Sequence, residues 1–391
     1  MNAPSAVVIG AGVGGLTAAV ALGRRGWQVT VLEKAASLEP VGAGIALAPN
    51  AQRCLDTVGL GDRVRALAAW QGAGGLRTPR GRWLSRLDAA DAERRFGGAV
   101  VLLHRAALVG LLAGELPPDA LRTGVAAEVA DPGTAGRPAR VRAGTREYEA
   151  DLVVGADGID SGVRRVLFPA HPGPAYSGFT AWRAVVEVPG LDFAPHETWG
   201  RGALWGSQPL KDGRVYVYGS AVAPRHGHAP DDEKSELLRR FGDWHDPVPR
   251  LIAATEPAGI LRNDISWLEE PLPAFHHGRT ALIGDAAHAM TPHLAQGGNQ
   301  AIEDAVVLAH HVRPAGDPAA SLERYTRDRL PRTTEVVRRS RRAGRVTMLR
   351  NPVATALRDT AARAASTVAP RAALKALDGI ADWSPPAGQD E

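Results

Sequence analysis

The sequence predicts an α/β chain: a parallel-sheet unit built from strand–helix–strand repeats, interleaved with an antiparallel sheet and followed by C-terminal helices. Three observations carry this. Ala6-Val7-Val8-Ile9 is an apolar run followed at once by Gly10-Ala11-Gly12-Val13-Gly14-Gly15, a helix-like Leu16 to Arg25, a stop at Gly26, and a second strand, Gln28 to Leu32. Far downstream, Arg279 to Asp304 reads RTALIGDAAHAMTPHLAQGGNQAIED. There a short strand (Thr280 to Ile283) runs into Gly284-Asp285, a loop passes through Pro292, and Gln296-Gly297-Gly298-Asn299 opens a helix. Between them, Tyr176 to Ile265 alternates apolar and polar residues, as in Ala184 to Val188 and Val215 to Ala221, which is the period of an antiparallel sheet.

The first stretch is a dinucleotide fingerprint in its required strand–turn–helix–strand setting. Gly10 permits the tight turn, Gly12 lets a pyrophosphate approach the backbone, and Gly15 lets the helix pack on the sheet. Glu33 ends the second strand, where an acid suits the hydroxyls of an adenosine ribose. Both NAD and FAD carry that ADP half. The downstream stretch decides for FAD, because an NAD site has no ribityl chain to hold. Asp285 offers carboxylate oxygens to ribityl hydroxyls at a strand end. Gly297 and Gly298 let backbone N–H groups come close to a ligand at a helix start, where the helix dipole favours the negative charge of a reduced flavin. The predicted class is therefore a Rossmann-like FAD-binding domain interleaved with an antiparallel-sheet domain.

Composition agrees. With 391 residues, 45% of them hydrophobic, the chain can bury a large core and divide into two domains. The single cysteine, Cys54, excludes an intramolecular disulfide and a cysteine-rich metal site, and is expected as a small buried residue in a helix from Ala51 to Val58. His288 and His293 have no carboxylate at ligand spacing, so no metal is expected. The N-terminus enters a strand without a basic leader, and Val13 to Leu22 is too short to span a bilayer, so a cytoplasmic protein without a membrane segment is expected. The net charge of +4 comes mostly from arginines clustered from Arg324 to Arg345 on both sides of Pro331. No interleaved aromatics accompany them, so they read as a solvated helix face, partly neutralised by Glu323, Asp328 and Glu335, and no nucleic-acid partner is expected.

Along the chain, a glycine-bearing loop from Val41 to Asn50 leads into a helix, Trp70 to Leu87 gives short strands, and Leu102 to Arg105 precedes a helix through Leu116. Val141 to Tyr148 belongs to a meander, and Ala150 to Ala156 is a strand ending in Asp157-Gly158. The expected division is a discontinuous FAD-binding domain (1–70, 98–170 and 276–345), a substrate-binding sheet domain (71–97 and 171–275) and a C-terminal helical segment (346–391) whose last residues, from Ser384, fray.

These motifs resemble the single-component flavin-dependent aromatic monooxygenases with the para-hydroxybenzoate hydroxylase fold, especially the salicylate hydroxylase-like branch. The resemblance covers nearly the whole chain and rests on GAGVGG with Glu33, on Gly155 to Arg164 (GADGIDSGVR), and on Gly284-Asp285 through Asn299. It implies that Gly10, Gly12, Gly15 and Glu33 hold the ADP portion of FAD, and that Asp285 binds ribityl oxygens. Gly297, Gly298 and Asn299 would line the isoalloxazine, with Pro292 facing the ring. Arg105 matches an arginine that contacts the cofactor, with a surface arginine as the competing reading. Asp157, supported by Arg164, is implied near the FAD and nicotinamide pyrophosphates, with a helix cap as the competing reading.

The resemblance also implies the chemistry. NADH or NADPH reduces the flavin, O2 gives a C4a-hydroperoxide, and OH passes to an electron-rich aromatic or polycyclic natural-product substrate in a monomer or homodimer. Activation of a phenol-like group calls for polar residues on the antiparallel sheet; Arg183, Arg201 and Tyr216, with Tyr218 beside it, are the candidates, ordinary packing being the alternative for each. Epoxidation, or flavin binding without turnover, are the other readings. A flavin halogenase is disfavoured because its Trp-x-Trp-x-Ile-Pro signature is absent, Trp182 and Trp199 being isolated. The chain is also expected to lack the extra C-terminal domain of the phenol hydroxylase-like members.

Overall fold

The computed structural model describes residues 3–38, 43–70, 74–87, 89–368 and 370–386. Val41, Gly42 and the final residues of the expected frayed end lie outside them. A six-stranded sheet has the order His276–His277, Thr280–Leu282, Leu152–Gly155, Ser5–Ile9, Gln28–Leu32, Leu121–Arg122. All of its pairs are parallel except the one made by the edge strand His276–His277. Its central strands are apolar throughout, as strands covered on both sides must be: Val8, Val31, Val153, Val154 and Leu282 are fully buried. The helix Val13–Gly23 leaves the first strand through the glycine turn and packs against the helix Gly297–His311. The two glycine-rich helix starts, nearly three hundred residues apart in sequence, are thus brought to one side of the sheet.

A seven-stranded sheet runs Leu261–Trp267, Ala175–Glu187, Arg214–Val222, Ala203–Pro209, His196–Trp199, Gly74–Arg77, Trp83–Leu87. Strands from 74–87 and from 175–267 therefore share one sheet. Its two faces differ. Trp182, Ala184, Trp205, Val215 and Val217 point to one side and form a core with the helices Glu233–Phe241 and Val248–Ala254. The alternate residues point the other way, where Tyr216 packs with Leu210 of its own hairpin and with Ala43 and Leu102 of the neighbouring unit. Strands Gly44–Leu47, Val101–His104 and Ala69–Trp70 form a small antiparallel sheet at this junction. Glu128–Asp131, Ala139–Ala143 and Arg146–Ala150 form the meander.

The C-terminal region is helical. The helix Pro318–Thr347 is 30 residues long and runs through Pro331, which is exposed. The arginine run is only partly the solvated face expected of it: Arg329 is 1% exposed. The helix turns Arg329 inward, towards two carboxylates on the helix Gly297–His311, and Arg332 one turn on reaches one of the same carboxylates. A charge run in the sequence does not reveal which of its members face the core. The helix Pro352–Val368 follows, tied down by Arg358, whose Nη1 donates to the carbonyl of Thr347 at 2.9 Å. Cys54 is buried in the helix Pro49–Thr57, and burial pushes its thiol well above the usual range.

Candidate flavin and substrate site

The glycine turn has the geometry its residues allow. Gly10 has φ +106°, and a Cβ there would lie 2.4 Å from the carbonyl oxygen of Ala156. A Cβ on Gly15 would lie 2.0 Å from the carbonyl oxygen of Gly10, so the helix seats directly on the turn. At Gly12 a Cβ would meet nothing within 4 Å. Glu33 closes the turn: its Oε2 accepts the N–H of Ala11 at 2.7 Å and its Oε1 that of Ala35 at 2.8 Å. Each carboxylate oxygen can accept a further hydrogen bond.

Neither glycine-rich helix start has a side-chain cap. This sets them apart from the helices begun by Ser161, Asp232 and Asp317, whose side chains accept a first-turn N–H. The uncapped N–H groups and the open side of Gly12 fit an anionic, backbone-recognised ligand. Asp285 stands beside the second start, exposed on the short helix Asp285–His288, with its Oδ1 3.9 Å from where a Cβ on Gly297 would be. Pro292, itself exposed, opens the turn Pro292–Leu294, whose other two residues are half-buried. These residues fit the ADP, ribityl and ring portions of FAD in that order.

Two expected cofactor residues are committed elsewhere. Asn299 is fully buried; its Oδ1 accepts the N–H of Ala48 at 2.8 Å, and its Nδ2 donates to the carbonyls of Ala46 at 2.9 Å and Ala295 at 2.7 Å. It ties the helix start to the strand Gly44–Leu47, and both N–H groups of its amide are used in doing so. Asp157 takes the capping role: Oδ1 accepts from Ser161 Oγ at 2.5 Å and Oδ2 from the N–H of Val163 at 3.1 Å, because the turn leads straight into the helix Gly162–Leu167. Its supporting arginine does more than expected. Arg164 is 2% exposed and donates to the carbonyls of Ile159 at 2.5 Å and Ala286 at 3.0 Å, latching one motif to the other.

Behind the flavin segment lies a buried polar network. Asp304 accepts the N–H of Gly284 at 2.8 Å and Arg329 Nε at 2.7 Å, and lies 2.5 Å from His288 Nε2. Glu303 accepts from Asn50 at 2.6 Å, Arg332 Nε at 2.7 Å and Arg329 Nη1 at 2.5 Å. Burial alone would raise Asp304, but His288 and Arg329 hold it at about 2. Glu303 is likewise held below its ordinary range, Arg329 and Arg332 outweighing burial. The acids Glu303-Asp304 end the conspicuous stretch, but their partner sits in a run that resembles surface charge.

On the sheet, Tyr216 and Tyr218 share a face, their ring centres 5.5 Å apart. Arg183 lies opposite Tyr218, and Val185 opposite Tyr216. Gly44 meets the ring of Tyr216, and Gly206, opposite Tyr218, leaves room for that ring; a Cβ there would lie 2.0 Å from its Cζ. Arg183 Nη1 donates to Asn263 Oδ1 at 3.0 Å. Burial pushes the Tyr216 hydroxyl up, with the guanidinium groups of Arg183 and of exposed Arg105 pulling the other way. Glu197, which composition did not single out, accepts from Tyr218 at 2.8 Å and Trp199 Nε1 at 2.5 Å, and burial raises its carboxyl. Arg201 does not join them. It is exposed in the turn between His196–Trp199 and Ala203–Pro209, beyond either face of the sheet. Trp182 and Trp205 belong to the helix-covered face. His288 and His293 stay apart in role: His293 meets Phe179 edge-on at 5.0 Å. Among the described residues no group of three or more His, Cys, Asp or Glu could hold a metal, and no helix is long and apolar enough to cross a membrane.

A Rossmann-like glycine turn, an exposed aspartate beside a second glycine-rich helix start and an adjoining antiparallel sheet are features of an FAD-dependent aromatic monooxygenase. The chain belongs to the FAD binding domain family, which it matches over residues 4–340. It is 38% identical over 364 residues to the aurachin C monooxygenase/isomerase of Stigmatella aurantiaca, covering 92% of this chain and 94% of that protein. It is 37% identical over 356 residues to the 3-amino-4-hydroxybenzoate 2-monooxygenase of Streptomyces cremeus, covering 86% and 85%. The structure of Klebsiella pneumoniae HpxO complexed with FAD and uric acid aligns with a TM-score of 0.84 at 28% identity, covering 97% of this chain and 96% of that one. The resemblance read from the motifs is borne out, and FAD is the cofactor of the family.

Proposed function

We propose that this protein uses NADH or NADPH and O2 to hydroxylate a small aromatic or polycyclic substrate held between its antiparallel sheet and the flavin segment, acting in the cytoplasm. The supporting observation is the inward face of that sheet: Arg183, Tyr216, Tyr218 and Glu197 on one side, against the strand Gly44–Leu47. Ile45 of that strand would in turn meet a Cβ on Gly298 at 2.9 Å. Polar side chains set in an apolar frame, next to a cofactor-type helix start, make a site that orients one ring.

Bound FAD would supply the redox chemistry, placing one oxygen atom of O2 on the substrate while the other leaves as water. The protein residues do the rest. Gly12 and the first turn of the helix Val13–Gly23 receive the pyrophosphate, Glu33 the ribose, Asp285 the ribityl hydroxyls, and Gly297 with Gly298 the electron-rich edge of the ring. Tyr216, neutral because buried, donates or accepts a hydrogen bond at a phenol-like oxygen, and Arg183 favours the anionic form of that oxygen. Val185, Leu210 and Leu261 pack around Tyr216 and keep water away.

The purified protein should be yellow and release FAD, not FMN, on denaturation. Asp285→Ala should weaken FAD retention by about 1.5–3 kcal/mol through lost charge-assisted hydrogen bonds. A screen of hydroxylated aromatics should find one that stimulates NADH or NADPH oxidation and yields an oxygenated product. Absence of flavin affinity after reconstitution, or oxidation yielding only peroxide across the screen, would count against the proposal.

A further inference from the structure

The inward face of the seven-stranded sheet carries one row of directly opposed residues. Arg183 faces Tyr218, Tyr218 faces Gly206, and Gly206 faces Glu197, on four adjacent strands. Tyr218 spans part of this row. A Cβ on Gly206 would lie 2.0 Å from the Tyr218 Cζ and 2.5 Å from its hydroxyl oxygen, so the ring lies across that strand. Its hydroxyl thereby reaches the next strand and donates to Glu197 Oε2 at 2.8 Å. Only glycine at 206 leaves room for this reach. Arg183, Tyr218 and Glu197 are each half-buried, so each keeps accessible surface.

The two ends of the row carry opposite charge and do not meet. Three strand spacings hold their backbones roughly 14 Å apart. Among the described residues Arg183 pairs with no acid; its Nη1 donates to Asn263 Oδ1 at 3.0 Å. Glu197 pairs with no cation there. Its partners are the neutral Tyr218 hydroxyl and Trp199 Nε1, and Arg358, 5.3 Å over the Trp199 ring, is taken by Asp359 at 2.8 Å. The fully buried acids Glu303 and Asp304, by contrast, both hold Arg329. A carboxylate drawn out of water without a counter-charge is costly, and this one has acceptor capacity left on both oxygens. The hydrogen of Tyr218 is committed to Glu197, so its oxygen presents lone pairs only. The row therefore has a donor end at Arg183 and an acceptor end at Glu197 and Tyr218.

We propose that the substrate is an aromatic molecule with two polar ends: an oxygen held by Arg183 and Tyr216, and a separate N–H or O–H donor held by Glu197 and the lone pairs of Tyr218. Aminophenols and hydroxylated N–H heteroaromatics have this character. Glu197 is then a specificity-determining residue, selecting substrates by a donor at the end remote from Arg183. This deepens the hydroxylation reading and rests on it.

Two pairs of probes, each differing in one donor, test this by calorimetric titration of the FAD-loaded protein: 5-hydroxyindole against 5-hydroxybenzofuran, and 4-aminophenol against 4-methylphenol. In at least one pair the donor-bearing member should bind at least about fivefold more tightly. Glu197→Gln keeps the size of the side chain but puts an N–H2 group at the acceptor end, and should reduce that preference to less than about twofold in protein that still carries FAD. Glu197→Met serves if the glutamine variant does not retain the cofactor. Equal affinities within both pairs, or a preference that survives the loss of the Glu197 carboxylate, would overturn this inference alone if the probes are still oxygenated. If no aromatic in a wider screen binds or is oxygenated, the hydroxylation reading falls and this one with it.

Discussion

The two faces of the seven-stranded sheet are made by the same strands and serve different ends. On the covered face Trp205 is 1% exposed, its ring 5.3 Å from Phe241, and Gly219 opposite it leaves room for both rings. On the inward face Gly206 leaves room for Tyr218 in the same way, but the rings there carry hydroxyls and lie among Arg183, Glu197 and Asn263. A strand alternates its side chains between faces, so one segment can build a core and a reaction surface from neighbouring residues. The lesson is that stability and specificity are separable here residue by residue: Trp182 beside Arg183, Val217 between Tyr216 and Tyr218.

The largest effect should come from the covered face. Trp205→Ala removes a fully buried ring and should destabilise the protein by about 3–5 kcal/mol, read by denaturant unfolding. Any loss of turnover should follow the loss of folded protein. A variant that keeps wild-type stability would break the division between faces. Tyr216→Phe should do the converse. It removes one hydroxyl from the inward face, so stability and FAD content should change little. Turnover coupled to product should fall about tenfold or more, as expected for about 1.5 kcal/mol of lost hydrogen bonding at the reacting substrate. Unchanged coupling with the preferred substrate would remove Tyr216 from the site.

The difference between the two halves of the molecule also sets what could be read from sequence. Gly10, Gly12, Gly15 and Glu33 were legible because a tight turn and close approach to a ligand demand particular residues at fixed spacing. That Asp285 lies beside the helix start at Gly297 was legible from the short loop joining them. That Tyr216 and Tyr218 share a face followed from the period of a strand. Which face turns towards the flavin half did not, because that depends on where the helices Glu233–Phe241 and Val248–Ala254 fold back. The partners of Asn299 were hidden for a related reason, because a side chain at a motif position can be taken up by long-range contacts, here with Ala46 and Ala48, whereas the capping contacts of Asp157 with Ser161 and Val163 match one of the two readings its motif allowed. Arg329 was hidden among surface arginines, although it holds Asp304 and through it Gly284.

The smallest expected effect sharpens the comparison at the sheet's covered side, where His196 lies opposite Ser207. His196 is 1% exposed; its Nδ1 meets the carbonyl of Ala194 at 2.9 Å, and its Nε2 has no partner. Burial, with Arg77 and the ring of His245 5.1 Å away, outweighs that hydrogen bond and holds His196 at about 4, against an ordinary value of 6.5. Between those two values the unfolded chain binds a proton at this position that the folded protein refuses, so stability rises with pH across the window. As pH falls from 6.5 to about 4 this contribution is lost, and below about 4 both states are protonated and the dependence ends. His293, also held at about 4 by burial, adds a slope in the same range, so the wild-type curve alone does not isolate His196. The comparison that does is the wild type against His196→Gln, which keeps a polar side chain without a titrating group. Unfolding curves from pH 4 to 7 should show a shallower acid loss in the variant and parallel behaviour near pH 7; equal slopes would mean that His196 can take up a proton without disturbing the covered face.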